Sequence, residues 1–329
     1  RDPLRRLHPL LVRVETLPAR RLGVFGSVRR LCLCRDPGKG LLGGVLMLLG
    51  VVLVAGAVRP SAVEAQWPVG AGQYWGKLSF FHHQTTEQFR ADGAKKPFIN
   101  SNAESISQAI FLDWNVGLLD RLDLWLQVPY YDLEFNDDLA DRQSDGIGDV
   151  RISARYNLFQ LRNGSIPISA RVTSKFPVNE FPIDAEIIPV GEGQFDFEAW
   201  LEGGISLWPL PAYSVIWLGY RWRFENTETT RKPGDELAFL VEVGGTEILG
   251  GLGGKVVLDG IFGRPGRIQG IQLGEVDERE ILYLAPTLFY NITASTIIET
   301  AARIPLQGKN YPAGAPLQIG VFHRGTLWN

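Results

Sequence analysis

From Val150 onward the chain alternates. Val150, Ile152, Ala154 and Tyr156 are apolar, while Asp149, Arg151, Ser153, Arg155 and Asn157 between them are polar or charged. Successive side chains of a strand point to opposite faces, so this pattern predicts a strand with one apolar and one charged face. Gln194 to Leu207 repeats it: Phe195, Phe197, Ala199, Leu201 and Ile205 share one face, Gln194, Asp196, Glu198, Trp200 and Glu202 the other. In Ser214 to Glu225, Ile216, Leu218, Tyr220, Trp222 and Phe224 oppose Arg221, Arg223 and Glu225. Ser165 to Phe176 sets Ile166, Ile168, Ala170 and Val172 against Ser169, Arg171, Thr173 and Lys175. Segments of this kind predict twelve strands, over 73–84, 105–117, 121–133, 148–160, 165–176, 194–207, 213–225, 235–247, 254–263, 279–290, 295–305 and 317–327. The alternation is weakest in the first, ninth and tenth.

The connections alternate as well. Short ones at 118–121, 161–164, 209–212, 249–253 and 291–294 are interleaved with longer polar ones at 88–104, 134–147, 177–193, 226–234, 264–278 and 306–316. Tight turns at one end and longer loops at the other are the pattern of outer-membrane barrels. A soluble sandwich gives no reason to sort loops by length. Strands of soluble proteins average about five or six residues, whereas a tilted membrane-spanning strand needs roughly 9 to 11. The predicted fold is therefore all-β, a transmembrane antiparallel up-and-down barrel of about 12 strands, with lipid on the apolar face and the charged face inside.

Residues 41–57 form an apolar run, with Arg29, Arg30, Arg35 and Lys39 before it and Ser-Ala-Val-Glu-Ala after it. That is the layout of a secretory signal cut before Gln66. Residues 1–65 are thus expected to be an upstream extension and cleavable Sec-type signal, and residues 66–329 the barrel. An exported barrel of this kind belongs in the cell outer membrane of a Gram-negative bacterium. The alternative reading of the apolar run is a membrane anchor.

Charge and cysteine usage narrow the function. Residues 1–65 carry 11 Lys+Arg and 4 Asp+Glu, which leaves 22 basic and 32 acidic residues in the rest. An acidic body without a basic stripe argues against nucleic-acid binding. Both cysteines, Cys32 and Cys34, lie in the first 65 residues, so the barrel portion has no disulfide, thiol nucleophile or Cys-bound metal. Trp67, Trp75, Trp114, Tyr130, Tyr131, Trp208, Tyr213, Trp222, Tyr290 and Trp328 sit near strand ends, as an interfacial belt requires.

The charged face supplies the candidate site: Arg151, Arg155, Arg171, Lys175, Asp196, Glu198, Glu202, Arg221 and Arg223. The same face would hold Lys77, Asp113, Asp123, Asp149, Glu242, Glu299, Arg303 and Arg324. Two readings remain open. A mixed-charge ring can select solutes, and its arginine cluster can attract anionic or phenolate-like ones. Alternatively, paired charges can fill and brace a narrow barrel.

The stretches SDGIGDVRISARYNLF (144–159) and GEGQFDFEAWLEGGISLWPLPAYSVIWLGYRWR (191–223) resemble the outer-membrane transporter family named for the meta-cleavage pathway of phenol degradation. The likeness extends loosely over 70–328. It implies a twelve-stranded barrel and uptake of small, aromatic molecules, and it implies no catalytic residues. Together with the signal, the alternation and the loop sorting, it leads to the expectation of a passive channel for small hydrophobic or aromatic compounds, with no cofactor and no metal. The terminal stretch LQIGVFHRGTLWN resembles the signal that delivers outer-membrane proteins to their assembly machinery, though it ends on Asn329 rather than an aromatic residue.

Other chemistries fit poorly. The glycines of Gly146-Ile-Gly-Asp precede a strand, whereas a phosphate loop follows one and opens a helix. His82 and His83 face opposite sides, although closure of the barrel would let His323 approach His83. No hydrolase motif accompanies them, so the chain is not expected to be an enzyme. The acidic stretch 134–145 reads as a solvated outer loop bridged by cations to lipopolysaccharide. The expected partners are membrane lipid, lipopolysaccharide, the assembly machinery and a small solute. The alternative function is a plugged barrel with a structural or adhesive role.

Overall fold

The computed structural model describes residues 69–328 apart from 163–164, 180, 183–186, 208–209 and 250. The expected extension and signal over 1–65 lie outside the described residues, as do Trp67 and Trp208. Twelve staves follow one another: β1 (Gln73–Thr85), β2 (Glu104–Leu119), β3 (Leu122–Asn136), β4 (Val150–Leu161), β5 (Ile166–Phe176) and β6 (Asp196–Ser206), then β7 (Ala212–Arg223), β8 (Glu236–Leu249), β9 (Leu252–Gly263), β10 (Glu280–Asn291), β11 (Thr296–Ala302) and β12 (Leu317–Thr326). After a break at Arg303, β11 continues as Ile304–Lys309, still paired with β10. Each stave pairs antiparallel with the next, and β12 returns to β1 from Gln73↔Thr326 to His82↔Leu317. The result is a closed up-and-down barrel. Closure leaves no sheet edge, which is the condition for a β-structure in hydrocarbon.

The distribution of side chains is inverted relative to a water-soluble protein. Leu78, Leu201 and Leu218 are 55%, 54% and 52% exposed, whereas Lys175, Asp196 and Glu198 are 1%, 0% and 0% exposed. Water outside would favour the opposite arrangement, so the apolar outer face is a lipid face. Ile152 and Tyr156 of the opening pattern are exposed on it, and Arg155 is buried on the other side.

Several expectations change. The stretch 134–145 is a hairpin, because β3 runs on to Asn136 and Asp141–Ile147 pairs back along it. Asp137 closes its turn by accepting from the amides of Leu139 and Ala140 and from Arg142. Bonds from Asn100 and from those two amides hold its carboxyl down to about 2. Within the expected aromatic belt, Trp114, Tyr130, Trp222, Tyr290 and Trp328 are exposed on the outside. Trp75, Tyr131 and Tyr213 instead face inward, since each falls on the lumen phase of its stave. The two histidines do not meet either. Gly76 pairs with His323 and His82 with Leu317, six residues apart along β1 and so about 20 Å. His323 shares a hydrogen bond with the Thr296 hydroxyl, while His83 is buried beside Gly314 at the far end.

The long connections gather at one end of the barrel. Glu87–Phe89 of the first pairs with Lys95–Pro97 and with Tyr311–Pro312 of the last. Phe89 and Ala313 then bury against Ile281 and Tyr283 of β10, with Ile261 and Tyr311 alongside. At the opposite end the segment before β1 turns inward past β2 to β3. Its Val69 amide donates to Asp123, 3.2 Å away inside the barrel. Gly117 makes this possible: a Cβ there would come within 2.2 Å of the Gly70 carbonyl oxygen and 2.3 Å of that of Val69.

Candidate functional site in the barrel lumen

All nine predicted site residues point inward, and the structure joins them through a few shared carboxylates. Nearest the short-turn end, Arg155 of β4 donates to both oxygens of Asp123, at 3.1 and 2.7 Å to Oδ2. Its other side faces Glu202 at 3.7 Å, and Glu202 accepts from Arg171 Nε. Higher up, Glu198 accepts from Arg151 at 2.7 Å, from Arg221 at 2.8 Å and from Trp200 Nε1 at 2.8 Å. Lys175 Nζ sits among Asp149, Glu192 and Asp196 at 2.8, 2.6 and 2.9 Å. Arg223 touches Glu192 at 2.6 Å and Glu236 at 3.1 Å.

These contacts follow from cross-strand register. Arg151 stands opposite Lys175, Arg155 opposite Arg171, and Arg221 opposite Glu198 on one side and Glu236 on the other. Like charges opposite one another on β4 and β5 repel. The carboxylates of β3 and β6 relieve that repulsion, Asp123 and Glu202 on Arg155, Glu202 on Arg171, Glu198 on Arg151 and Asp196 on Lys175. The wall holds seven cations, Arg151, Arg155, Arg171, Lys175, Arg221, Arg223 and Arg279, against seven carboxylates, Asp123, Asp149, Glu192, Asp196, Glu198, Glu202 and Glu236. The network therefore balances, which makes it a brace for the barrel as well as a solute surface. Breaking it from within is costly. Glu198→Leu strands Arg151, part of Arg221 and the Trp200 N–H at once, and is expected to destabilise the folded barrel by about 3–5 kcal/mol. Glu198→Gln, which still accepts hydrogen bonds, is expected to cost less. Urea-unfolding midpoints in lipid vesicles measure both.

Three members of the network were not legible as site residues. Glu192 falls in an outer connection, where no period marks a facing, and Arg279 opens the tenth predicted strand, where the alternation is weakest, and stands just before β10 in the structure. Glu236 lies on the inward phase of β8 but has no cluster of its own in sequence. Arg279 donates to Glu192 at 3.0 Å and to Glu236 at 2.7 Å. Glu192 thus links β5, β7 and the start of β10, roughly half the circumference. Burial by itself would push the Glu192 carboxyl up. Arg279, Arg223 and Lys175 outweigh burial and hold it well below the usual glutamate range.

The other side of the lumen differs in chemistry. Trp75 packs on Trp125 at 5.3 Å and on Phe322 at 5.7 Å between ring centroids. Further toward the long loops, Phe111 meets Phe81 at 6.1 Å and Tyr131 at 5.8 Å, both edge-on. These rings come from β12, β1, β2 and β3 and form a strip along the barrel. Their half-burial means that they line space rather than fill a core. Among the described residues on this side, Asp113 accepts from Trp125 Nε1 and Gln127, and other charges pair singly: Lys77 with Glu299 at 2.5 Å, Lys255 with Glu242 at 3.3 Å, and Arg303 with Asp259. Arg324 lies exposed at the short-turn rim and donates to the Ala294 carbonyl.

No family model and no curated protein matches the sequence. Solved structures do match the fold. An outer membrane channel from Pseudomonas putida F1 is 17% identical, spans 82% of this chain and 100% of its own, and superposes with a TM-score of 0.67. That likeness fixes the architecture as a transmembrane barrel. The translocator domain of autotransporter NalP from Neisseria meningitidis matches at 8% identity, with 87% of this chain and 97% of its own covered and a TM-score of 0.44. CymD, a monoaromatic hydrocarbon channel, matches at 7% identity over 79% of this chain and 90% of its own, with a TM-score of 0.39. These two add nothing to the first.

Proposed function

We propose that the chain is a passive channel for small hydrophobic or aromatic solutes in the outer membrane of a Gram-negative bacterium. In this reading residues 1–65 direct export through the Sec route, the assembly machinery inserts the barrel, and the outer loops meet lipopolysaccharide. The observation that carries the reading is the aromatic strip of Phe322, Trp75, Trp125, Phe81, Phe111 and Tyr131, set inside a closed barrel and facing a charged wall. A barrel built only for rigidity has no use for half-buried rings along its bore. A small planar solute slides over ring faces while the charged wall keeps the bore wetted.

The test is reconstitution. In planar bilayers the purified barrel is expected to conduct KCl in discrete steps, and vesicles containing it are expected to admit phenol faster than a sugar of similar size. Absence of both conduction and uptake overturns the channel reading. That result would favour a second reading, a plugged structural barrel. The balanced charges and the apolar cluster of Phe89, Ile281, Tyr283 and Ala313 at one end support that alternative.

A further inference from the structure

We propose that a chamber midway along the lumen is a binding subsite for a small aromatic carboxylate, an inference that rests on the channel reading and names its solute class. The chamber has a volume of about 220 Å³. Arg151, Arg171 and Arg221 line it together with Trp125, Trp200 and Trp217, and Leu240 and Ile261 add apolar surface.

Arg171 is the centre of the arrangement. Its Cζ lies 5.5, 4.8 and 5.1 Å from the ring centroids of Trp125, Trp200 and Trp217. Glu202 takes its Nε–H and the Thr173 hydroxyl oxygen takes one N–H from Nη1. A guanidinium has five N–H donors, so others remain for a solute. Arg151 is tied to Glu198 through Nη1, and its side chain is 28% exposed to the lumen. Two cations with donors to spare, in one chamber with indoles and apolar side chains, fit a ligand that is anionic at one end and planar at the other. A carboxylate takes paired N–H donors from such groups.

The charge pattern decides the sign. Glu198 is already covered by Arg151, Arg221 and Trp200, and Asp259 by Arg303. The indole faces already hold a cation, Arg171, so a second cation meets repulsion there. A neutral arene gains ring contacts and nothing from the guanidiniums, and an aliphatic acid gains the reverse. Gly219 completes the site. It stands opposite Trp200 on β7, and a Cβ there would come within 2.3 Å of the indole. Its bare backbone lets that ring lie flat against the wall and leaves the chamber open.

The experiment titrates the detergent-solubilised full barrel with benzoate, acetate, toluene and benzylammonium, following binding by calorimetry. The same barrel is then examined in planar bilayers in KCl with each compound added. Benzoate is expected to bind at least about tenfold more tightly than acetate or benzylammonium and to interrupt the KCl current. Arg151→Gln is expected to weaken benzoate by about tenfold. Gly219→Ala is expected to weaken benzoate while leaving acetate unchanged, because it displaces the ring and spares the charge. Compact migration of the unheated protein in a gel reports folding of both variants. Equal affinity for benzoate and acetate in the unmodified barrel overturns the subsite, whatever the variants do. KCl conduction without benzoate preference overturns the subsite and spares the channel, whereas benzoate binding without any conduction overturns the channel and spares the subsite.

Discussion

Ile152→Arg is expected to prevent most of the protein from folding into a bilayer, while Arg151→Ile at the next position leaves folding largely intact. Ile152 is 47% exposed on the lipid face of β4, between Leu126 of β3 and Ser174 of β5. An arginine on the lipid face costs up to roughly 2–4 kcal/mol, the full figure applying at mid-depth, a large fraction of the stability of an ordinary domain. Arg151 faces the lumen, and its one carboxylate, Glu198, keeps Arg221 and Trp200 when it is gone. Removing it changes the charge of the bore rather than the lipid surface. Cold-gel mobility and urea midpoints in vesicles measure folding, and reversal potentials in a KCl gradient measure selectivity. If Arg151→Ile were the variant that failed and Ile152→Arg folded normally, the barrel would be inside out.

The second large effect is expected at Glu192. This carboxylate is shared by Lys175, Arg223 and Arg279 and ties the described stretch 187–195, just before β6, to the barrel wall. Glu192→Ala removes three charge-assisted contacts from that segment, each worth about 1.5–3 kcal/mol in a favourable setting. The segment should then leave the bore, and single-channel conductance should rise several-fold with more frequent fluctuations. The three cations would still have Asp149, Asp196 and Glu236, so the wall itself is expected to hold. Acidification should not reproduce the variant. The folded-state carboxyl titrates well below its unfolded value, so the tie is complete above the ordinary glutamate range. It is lost only as pH falls through the depressed value. Conductance recorded from neutral pH down through that range should stay flat in the unmodified barrel. An unchanged conductance in Glu192→Ala would mean that the segment does not restrict the bore.

The legibility of this fold in the sequence has a simple basis. A lipid outside and a wet charged lumen inside impose period-2 alternation, and alternation is a property of neighbours in the chain. That is why β5 and β6 and their facings were readable to within a residue or two. Where both faces tolerate small or apolar residues, as in Leu252–Gly263 with its four glycines and valines, the local signal fades. There the strand forms because β8 and β10 present ladders on either side. The hairpin of Asp141–Ile147 was missed for a related reason. Its polar residues alternate with nothing apolar, and its partner is the protruding end of β3.

The sequence by itself therefore determined the barrel, the number of its staves, which face meets lipid and most of the charged residues that line the bore. Those depend on a two-residue repeat and on loop lengths, both written along the chain. Tertiary structure alone decided which lumen charges meet. Arg279 reaches Glu192 across 87 positions of sequence, and the rings of Trp75 and Phe322 touch only because the last stave closes on the first. Register and closure bring such residues together, and neither leaves a local mark in composition or period.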